Sequence, residues 1–391
     1  MSPVVIDSDP SERTSASVCE VVWDRRDEWR RRLAMIDEAS RFLYVSLFYL
    51  EFDAYGRPFL DALLAAQHRG VRVQLVLDTF GQRLGGVLMT RADRRVMAAA
   101  CRRLTAAGGS VRFYRPPRFV QRWLGGGHHF KVQVSEAGAA LVSSGNVTKS
   151  SFDGWNECAL AVRGPVVGRL MADLRAVGAE VPDADLAAVS DAAGEITLDY
   201  WFCNPNDHQG PLGVLGWRGT NVVTQAMIDL LASARQSVVM TSFYFKPAPA
   251  LMTAVLDAAR RGVRVEVFHS HCEALPATDL AWIASAVDYP RLLEAGVSVY
   301  ENRRGEHSKI VLVDDARVAI GSYNFEDAAH DRLAEAMLAT GDAAVLDPVR
   351  AIVDRLRTDA DTTVVTRDTI AAWPDRTRRR VRWFGRFKRW L

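Results

Sequence analysis

Arg69-Gly70-Val71-Arg72-Val73 recurs as Arg261-Gly262-Val263-Arg264-Val265, 192 residues later. The surroundings recur too: a helix-period stretch (Ala34-Met35-Ile36-Asp37 and Ala226-Met227-Ile228-Asp229), a β-rich run (Phe42 to Tyr49 and Val238 to Phe245), and a second helical stretch ending at the RGVRV strand. Both halves then pass through another helix to a short strand, Val111 to Tyr114 and Val297 to Tyr300. Strands alternating with helices of about ten to fifteen residues imply βαβ units and a mostly parallel sheet in each half. The chain reads as two copies of one α/β domain.

A second repeat lies downstream of the first. The second half carries His307-Ser308-Lys309, then Asp314 after four residues and Gly321-Ser322-Tyr323-Asn324 after six more. At the same intervals the first half carries His129-Phe130-Lys131, Glu136 and Ser143-Ser144-Gly145-Asn146. Glu157 follows His129 by 28 residues, and Glu335 follows His307 by 28. At roughly one chance in twenty per fixed position, such a pattern repeated at one spacing is not accidental.

These residue types suit one kind of chemistry. A phosphodiester is anionic and repels nucleophiles, so a site working without a metal must place positive charge and directional donors around the phosphate oxygens. Lys131 and Lys309 supply the charge, while Asn146, Asn324, Ser144 and Ser322 supply neutral donors. A histidine, with an unperturbed pKa of about 6.5, is largely neutral at pH 7 and can attack phosphorus, and a second one can protonate the departing alcohol. Each ring needs its other nitrogen held, and Glu157 and Glu335 are the expected partners. Glu136 and Asp314 are expected to brace the loop and the lysine rather than touch substrate.

The two motifs resemble the HxKx4Dx6GSxN signature of the phospholipase D superfamily, with Glu136 and Ser143 standing where the signature has Asp and Gly. The resemblance covers about residues 34 to 345. Leu77-Asp78-Thr79-Phe80-Gly81, Arg163-Gly164-Pro165-Val166-Val167, and Leu293-Glu294-Ala295-Gly296-Val297 with Tyr300-Glu301 resemble segments of bacterial cardiolipin synthases. The resemblance implies an α/β fold of two similar phospholipase D-like α/β/α domains in pseudo-twofold arrangement, sharing one active site. The expected bounds are an N-terminal extension over 1–30, domains over 31–185 and 186–365, and a basic amphipathic tail over 366–391. By analogy His129 forms a covalent phosphohistidine, while His307 protonates the leaving group and then deprotonates the incoming alcohol or water.

His269, His271 and Cys272 place three ligand-type side chains within four residues, but no further ligand is spaced to complete a zinc site. No metal or other cofactor is expected. At the carboxyl end of a strand, His269 and His271 are candidates for lining a substrate pocket, with Asp78 in the equivalent place of the first half. The five cysteines are scattered and odd in number, which fits a reducing compartment.

The net charge of +2 conceals an asymmetry, since the last sixteen residues carry eight positive and no negative charges, leaving −6 for the first 375. Trp383, Phe384, Phe387, Trp390 and Leu391 fall on one stripe of an ideal helix with most arginines outside it, as in helices that lie on an anionic membrane surface. The alternatives are a solvated tail that binds nucleic acid nonspecifically and a helix docked on the protein's own acidic body. A basic, aromatic insertion, Arg115 to Leu124, leads through Gly125-Gly126-Gly127 into His129; it reads as a loop that enters lipid or gates the cleft, or as an ordinary surface loop. No apolar run reaches the roughly 18 to 20 residues of a membrane span, and the start, MSPVVIDSDPSERTSAS, lacks the features of a secretory signal. The expected location is cytoplasmic, peripheral on the inner face of the membrane.

The expected function is a phosphatidyltransferase of the cardiolipin synthase type acting on phospholipids. A hydrolytic phospholipase D shares every catalytic residue and differs only in whether water or alcohol arrives. A nuclease of the same superfamily is disfavoured by the acidic body, and no specific nucleic acid partner is expected. A lipid-binding scaffold with a vestigial site is disfavoured by intact His, Lys, Asn and Glu in both halves. The oligomeric state is left open.

Overall fold

The RGVRV repeat has two physical causes, both visible in the computed structural model. Arg69 follows the helix Gly56–His68, and its Nη2 donates to the carbonyls of Ile36 (2.7 Å) and Asp37 (3.1 Å) at the open end of helix Arg25–Glu38. Arg261 does the same for Leu231 (3.0 Å) and Ala232 (3.4 Å) at the end of Val222–Ser233. The glycines that follow have φ of 92° and 86°, which ends a helix without Cβ strain and turns the chain into the next strand. The structure describes residues 12–190, 194–208, 220–275 and 277–390. Residues 1–11 of the expected N-terminal extension lie outside them.

The strands are Glu12–Ala16 (β1), Val18–Val22 (β2), Phe42–Leu47 (β3), Arg72–Asp78 (β4), Ser110–Tyr114 (β5), Gly127–His128 (β6), Val132–Ser135 (β7), Ala139–Ser143 (β8), Ala159–Arg163 (β9), Ile196–Cys203 (β10), Ser237–Thr241 (β11), Arg264–Ser270 (β12), Ser298–Asn302 (β13), Ile310–Val313 (β14), Arg317–Gly321 (β15), Leu333–Thr340 (β16) and Thr362–Val364 (β17). One sheet runs β2-β9-β8-β7-β3-β4-β5. The other runs β1-β10-β16-β15-β14-β11-β12-β13-β17, with β6 paired to β16. Each half is thus α/β, and the two are copies of one plan.

The expectation of mostly parallel sheets is corrected. Within the two main orders only β3-β4-β5 and β11-β12-β13 are parallel neighbours; the remaining pairs are antiparallel. The helical crossovers read from the repeat account for the parallel part. The strands after each HxK motif are joined by tight turns instead, which force antiparallel pairing.

The stretch 12–22, set within an N-terminal extension, is also not an appendage. β1 pairs with β10 in the second sheet and β2 with β9 in the first, so these residues tie the outer edges of both sheets together. ERTSA carries almost no hydrophobic signal, and its partner is about 180 residues away in sequence, which is why it does not read as a strand. A central core between the halves draws Val132, Leu160 and Leu170 from one and Leu312, Ile320 and Val349 from the other. Each such buried aliphatic contributes about 1.5–3 kcal/mol, which holds the halves as one body.

The basic tail forms a helix, Asp375–Phe384, followed by a 3-10 turn over Gly385–Trp390. It docks on the second half: Val381 is buried, Arg380 pairs with Asp279 and Lys388 with Asp288. A Cβ on Gly385 would lie 2.7 Å from Val287, so the close approach needs glycine. The single apolar stripe is therefore corrected, because the helix changes pitch at Gly385. Phe384 turns toward the body, while Trp383 and Phe387 are half exposed or more. Leu391 and the side chain of Trp390 lie outside the described residues. Among those residues, no helix is long and apolar enough to cross a membrane.

Candidate active site

In extended chain, residues i and i+2 share a face. His129 and Lys131 therefore point one way while Phe130 enters the central core, and His307 and Lys309 do the same around Ser308, whose hydroxyl bonds Thr241 Oγ1 at 2.7 Å. Each lysine folds back on its own motif. Lys131 Nζ donates to His129 O at 3.0 Å and Lys309 Nζ to His307 O at 2.6 Å. Both lysines are fully buried. Burial pulls Lys309 down to about 8 and Lys131 well below the ordinary lysine range, the latter helped by the charge of Lys309.

The chain brings the two motifs together by exchanging backbone bonds between the halves. Before His129, Gly127 donates to Arg332 O (3.0 Å) and His129 N to Ala334 O (2.8 Å), just ahead of Glu335. Before His307, Asn156 N donates to Gly305 O and His307 N to Asn156 O, both at 2.8 Å, just ahead of Glu157. The His–Glu pairs are consequently crossed. His129 Nδ1 lies 3.0 Å from Glu335, and His307 Nδ1 lies 2.8 Å from Glu157. With Nδ1 engaged, Nε2 of each ring is left for chemistry.

Ser144 and Ser322, expected as phosphate donors, are corrected to another role. Ser144 Oγ donates to Glu157 Oε2 and Ser322 Oγ to Glu335 Oε2, each at 2.5 Å, and each hydroxyl also accepts a backbone N–H. A hydroxyl spent on a buried carboxylate is not available to a ligand, so these serines aim the glutamates. Of the two asparagines, Asn146 fits the donor role better, since Asn324 Nδ2 already donates to Glu326 Oε1. Asn146 Oδ1 accepts from Tyr49 N at 3.2 Å, while its buried Nδ2 has no hydrogen-bond partner among the described residues. Asn324 is tethered through Glu326 at 3.3 Å.

The protonation of the two pairs differs. Glu157 is brought down to about 2, because the charges of His307 and Lys309 overcome its burial. Glu335 is pushed well up by burial, against the pull of Lys131. Burial lowers His307 to about 4, against the opposing pull of the Glu157 charge, and burial with the nearby lysine charges lowers His129 well below its ordinary value.

Glu136 and Asp314 lie away from the lysines, correcting half of their expected role. Glu136 accepts from Ser40 N (2.5 Å) and Phe42 N (3.3 Å), and Asp314 from the backbone N–H groups of Arg235, Gln236 and Ser237 at 2.7–2.9 Å. Both clamp the start of the strand beside the motif. Ser143, in the place of Gly321, finds room by bonding Glu28 Oε1 at 2.9 Å, within a buried cluster with Arg25 and Arg32.

The pocket expectation for Asp78, His269 and His271 is also corrected. Asp78 is buried and accepts from Gly81 N (2.6 Å) and His128 N (3.0 Å), fixing the strand before His129. Ser270 does the equivalent for Glu306 N at 2.9 Å. His269 is buried against Tyr289 Oη at 2.9 Å, and Tyr289 in turn bonds Glu301 at 2.5 Å; His271 stands beside Glu301 and the ring of Trp282. Among the described residues, no group of three or more His, Cys, Asp or Glu is arranged to hold a metal.

Aromatic walls were missed. Phe48 packs edge-on to His129 at 4.8 Å, Phe243 edge-on to His307 at 4.6 Å, and Trp155 stacks on His307 at 5.0 Å. The available signal is the dipeptide Phe48-Tyr49, repeated as Phe243-Tyr244 at the ends of the matched strands.

Two comparisons define the fold class. The crystal structure of phosphatidylserine synthase from Haemophilus influenzae aligns with 97% of this chain and 95% of its own, at TM-score 0.73 and 16% identity. Polyphosphate kinase from Porphyromonas gingivalis aligns with 87% of this chain and 50% of its own, at TM-score 0.53 and 13% identity. The family described as cardiolipin synthase, PLD-like domain, matches residues 33–177 and 227–357, one match in each half, and the chain belongs to this family. Among curated relatives, cardiolipin synthase of Geobacillus kaustophilus is 24% identical over 80% of this chain and 60% of its own length. Cardiolipin synthase B of Salmonella typhimurium is 26% identical, and that of Escherichia coli 27%, each over 74% of this chain and 68% of the relative. The chain thus spans about two thirds or less of these relatives' length.

Proposed function

We propose that the protein is a phosphatidyltransferase of the cardiolipin synthase type. His129 Nε2 attacks the phosphorus of a phospholipid diester; the bond to the departing alcohol breaks as His307, entering the step as the imidazolium beside Glu157, gives that oxygen its Nε2 proton. The phosphatidyl group rests on His129. An incoming lipid hydroxyl then loses its proton to His307 and attacks phosphorus, breaking the P–N bond and restoring both rings. The observation that carries this reading is the crossed pair of His–Glu contacts beside two buried lysines. The Glu157 charge favours the imidazolium form of the acid His307, while burial and the charges of Lys131 and Lys309 favour the neutral form of the nucleophile His129. Lys131, Lys309 and Asn146 Nδ2 would face the phosphate oxygens.

Transfer rather than hydrolysis is supported by enclosure. His129 and His307 expose only 3% and 5% of their surface, which limits the supply of water to the intermediate. The protein would work on the inner face of a membrane, with the tail's arginines and exposed Trp383 and Phe387 toward an anionic leaflet, each nearby basic residue worth about 1 kcal/mol. The test is incubation with phosphatidylglycerol vesicles and lipid analysis. Cardiolipin plus glycerol supports the proposal; phosphatidic acid alone makes it a hydrolase. Inertness toward lipid with cleavage of single-stranded DNA makes it a nuclease.

A further inference from the structure

The first half leaves open a groove of about 810 Å³, within the roughly 300–1,000 Å³ typical of small-molecule sites. Its floor is aliphatic and aromatic, built from Met89, Met97, Cys101, Val111 and Phe113, and Arg94 and Arg102 stand at its edge. The strand registers pair Leu75 with Val111 and Val267 with Val299, so β5 corresponds to β13 and Phe113 to Glu301. In the second half that place is filled by the chain itself. Glu301 holds Trp282 and Tyr289, Trp373 packs on both, and Val381 and Phe384 close the flank. Nothing among the described residues does this for the first half.

Charge indicates the occupant. Residues 79–124 carry ten arginines against Asp93 alone, a net +9 inside a body that sums to −6. Within the same 79–124 segment Leu84, Val87, Leu88, Val96 and the groove-lining Phe113 are exposed, and on the helix Phe119–Trp123 the rings of Phe119 and Trp123 are about three-quarters exposed. Gly125, just beyond that helix, approaches Phe80 so closely that a Cβ would lie 3.1 Å from its ring, which sets the end of the helix beside the start of the 79–124 segment. A cationic surface with apolar side chains and an aliphatic furrow matches an anionic lipid, whose chain fills the furrow while its phosphate meets the arginines. A nucleic acid would match the charge but not the aliphatic floor.

We propose that this groove binds one acyl chain of an anionic phospholipid, making the 79–124 face a membrane-docking surface in addition to the tail. The groove backs onto the candidate catalytic loop. Gln82 lines it and bonds Leu50 through both amide atoms (2.8 and 3.0 Å), and Phe48, two residues before Leu50, packs on His129. The inference rests on the reading that lipids are the substrates.

The test uses the full chain with vesicles of phosphatidylglycerol bearing a photoactivatable diazirine in one acyl chain. Adducts are expected within residues 89–113. Ala98→Trp and Ala106→Trp, each filling the groove from an exposed position, are expected to cut adduct yield roughly tenfold, equivalent to about 1.4 kcal/mol. Both should leave turnover of soluble bis(4-nitrophenyl) phosphate unchanged. Adducts elsewhere, adducts undiminished in both variants, or a wild-type dimer dissociated by Ala98→Trp would overturn the groove assignment. A wild type that labels at 89–113 yet turns over neither lipid nor soluble diester supports the groove and overturns the catalytic reading instead.

Discussion

The first and second halves share their strands, their HxK motifs and their helix-capping arginines, yet they finish their outer edges differently. The second half pairs its edge strand β13 with β17 and lays Trp373, Val381 and Phe384 over the flank. Among the described residues, the first half leaves β5 unpaired on that side and exposes an arginine-rich, apolar face. A duplicated fold has only one centre to share, so its two outer surfaces are free to diverge. One has become a stabilised flank and the other a surface for ligand.

The same divergence reaches the centre, where the matched Glu157 and Glu335 are shifted in opposite directions, the first down by nearby positive charge and the second up by burial. The largest expected effect tests this directly. His129→Ala and His307→Ala should each lose about 10⁴-fold in turnover, toward the upper end for acid–base groups. Only His307→Ala should still trap phosphate on the protein from a diester with a good leaving group. Trapping in His129→Ala, or wild-type turnover in either, would reverse or remove the assignment.

The crossed contacts make the next comparison. Glu157→Gln should lower turnover by about 10- to 100-fold, as losses of orienting partners do, and Glu335→Gln by less, because Glu335 is already inclined to be neutral. Equal losses would show that the two halves are electrostatically alike.

The contribution of the His307–Glu157 pair to stability should fall in acid. His307 is depressed to about 4 and Glu157 to about 2, so at these two groups the folded state binds fewer protons than the unfolded one; their contribution is complete above about pH 6.5 and is lost progressively as pH falls through those values. Thermal unfolding of wild type and His307→Ala at pH 7 and 4.5 checks this, the variant losing less between the two. A smaller effect is expected at the motif's departure from its partner. Ser143→Gly restores the residue found at Gly321 but deletes a buried bond to Glu28, costing about 1.5–3 kcal/mol in urea unfolding. No loss would mean that the Arg25-Glu28-Arg32 cluster is self-sufficient. The smallest is Arg380→Ala, about 0.2–1 kcal/mol, since its pair with Asp279 is about one-third exposed on both sides.

Much of the site was legible because repetition is visible in one dimension. His129, His307, both lysines and both glutamates were found from intervals alone, and their partners lie within a few ångströms. Roles that depend on direction were not legible. Ser144 and Ser322 sit at the right spacing for phosphate donors, but their hydroxyls turn to Glu157 and Glu335. His269 looks like a pocket residue by its strand position, yet Tyr289 and the tail cover it. Phe48 and Phe243 repeat only as a dipeptide in an apolar run, where core and cleft look alike.

By itself the sequence determined that there are two α/β copies, which side chains are candidates for the chemistry, and that a basic aromatic segment ends the chain. These follow from periodicity and composition, which are local. Tertiary structure decided that each histidine takes its glutamate from the other half, that the tail lies on the second half, and that the first half keeps an open groove. These depend on which backbone edges pair across the interface, and bonds such as His129 N to Ala334 O and His307 N to Asn156 O join residues too far apart along the chain to leave a local pattern.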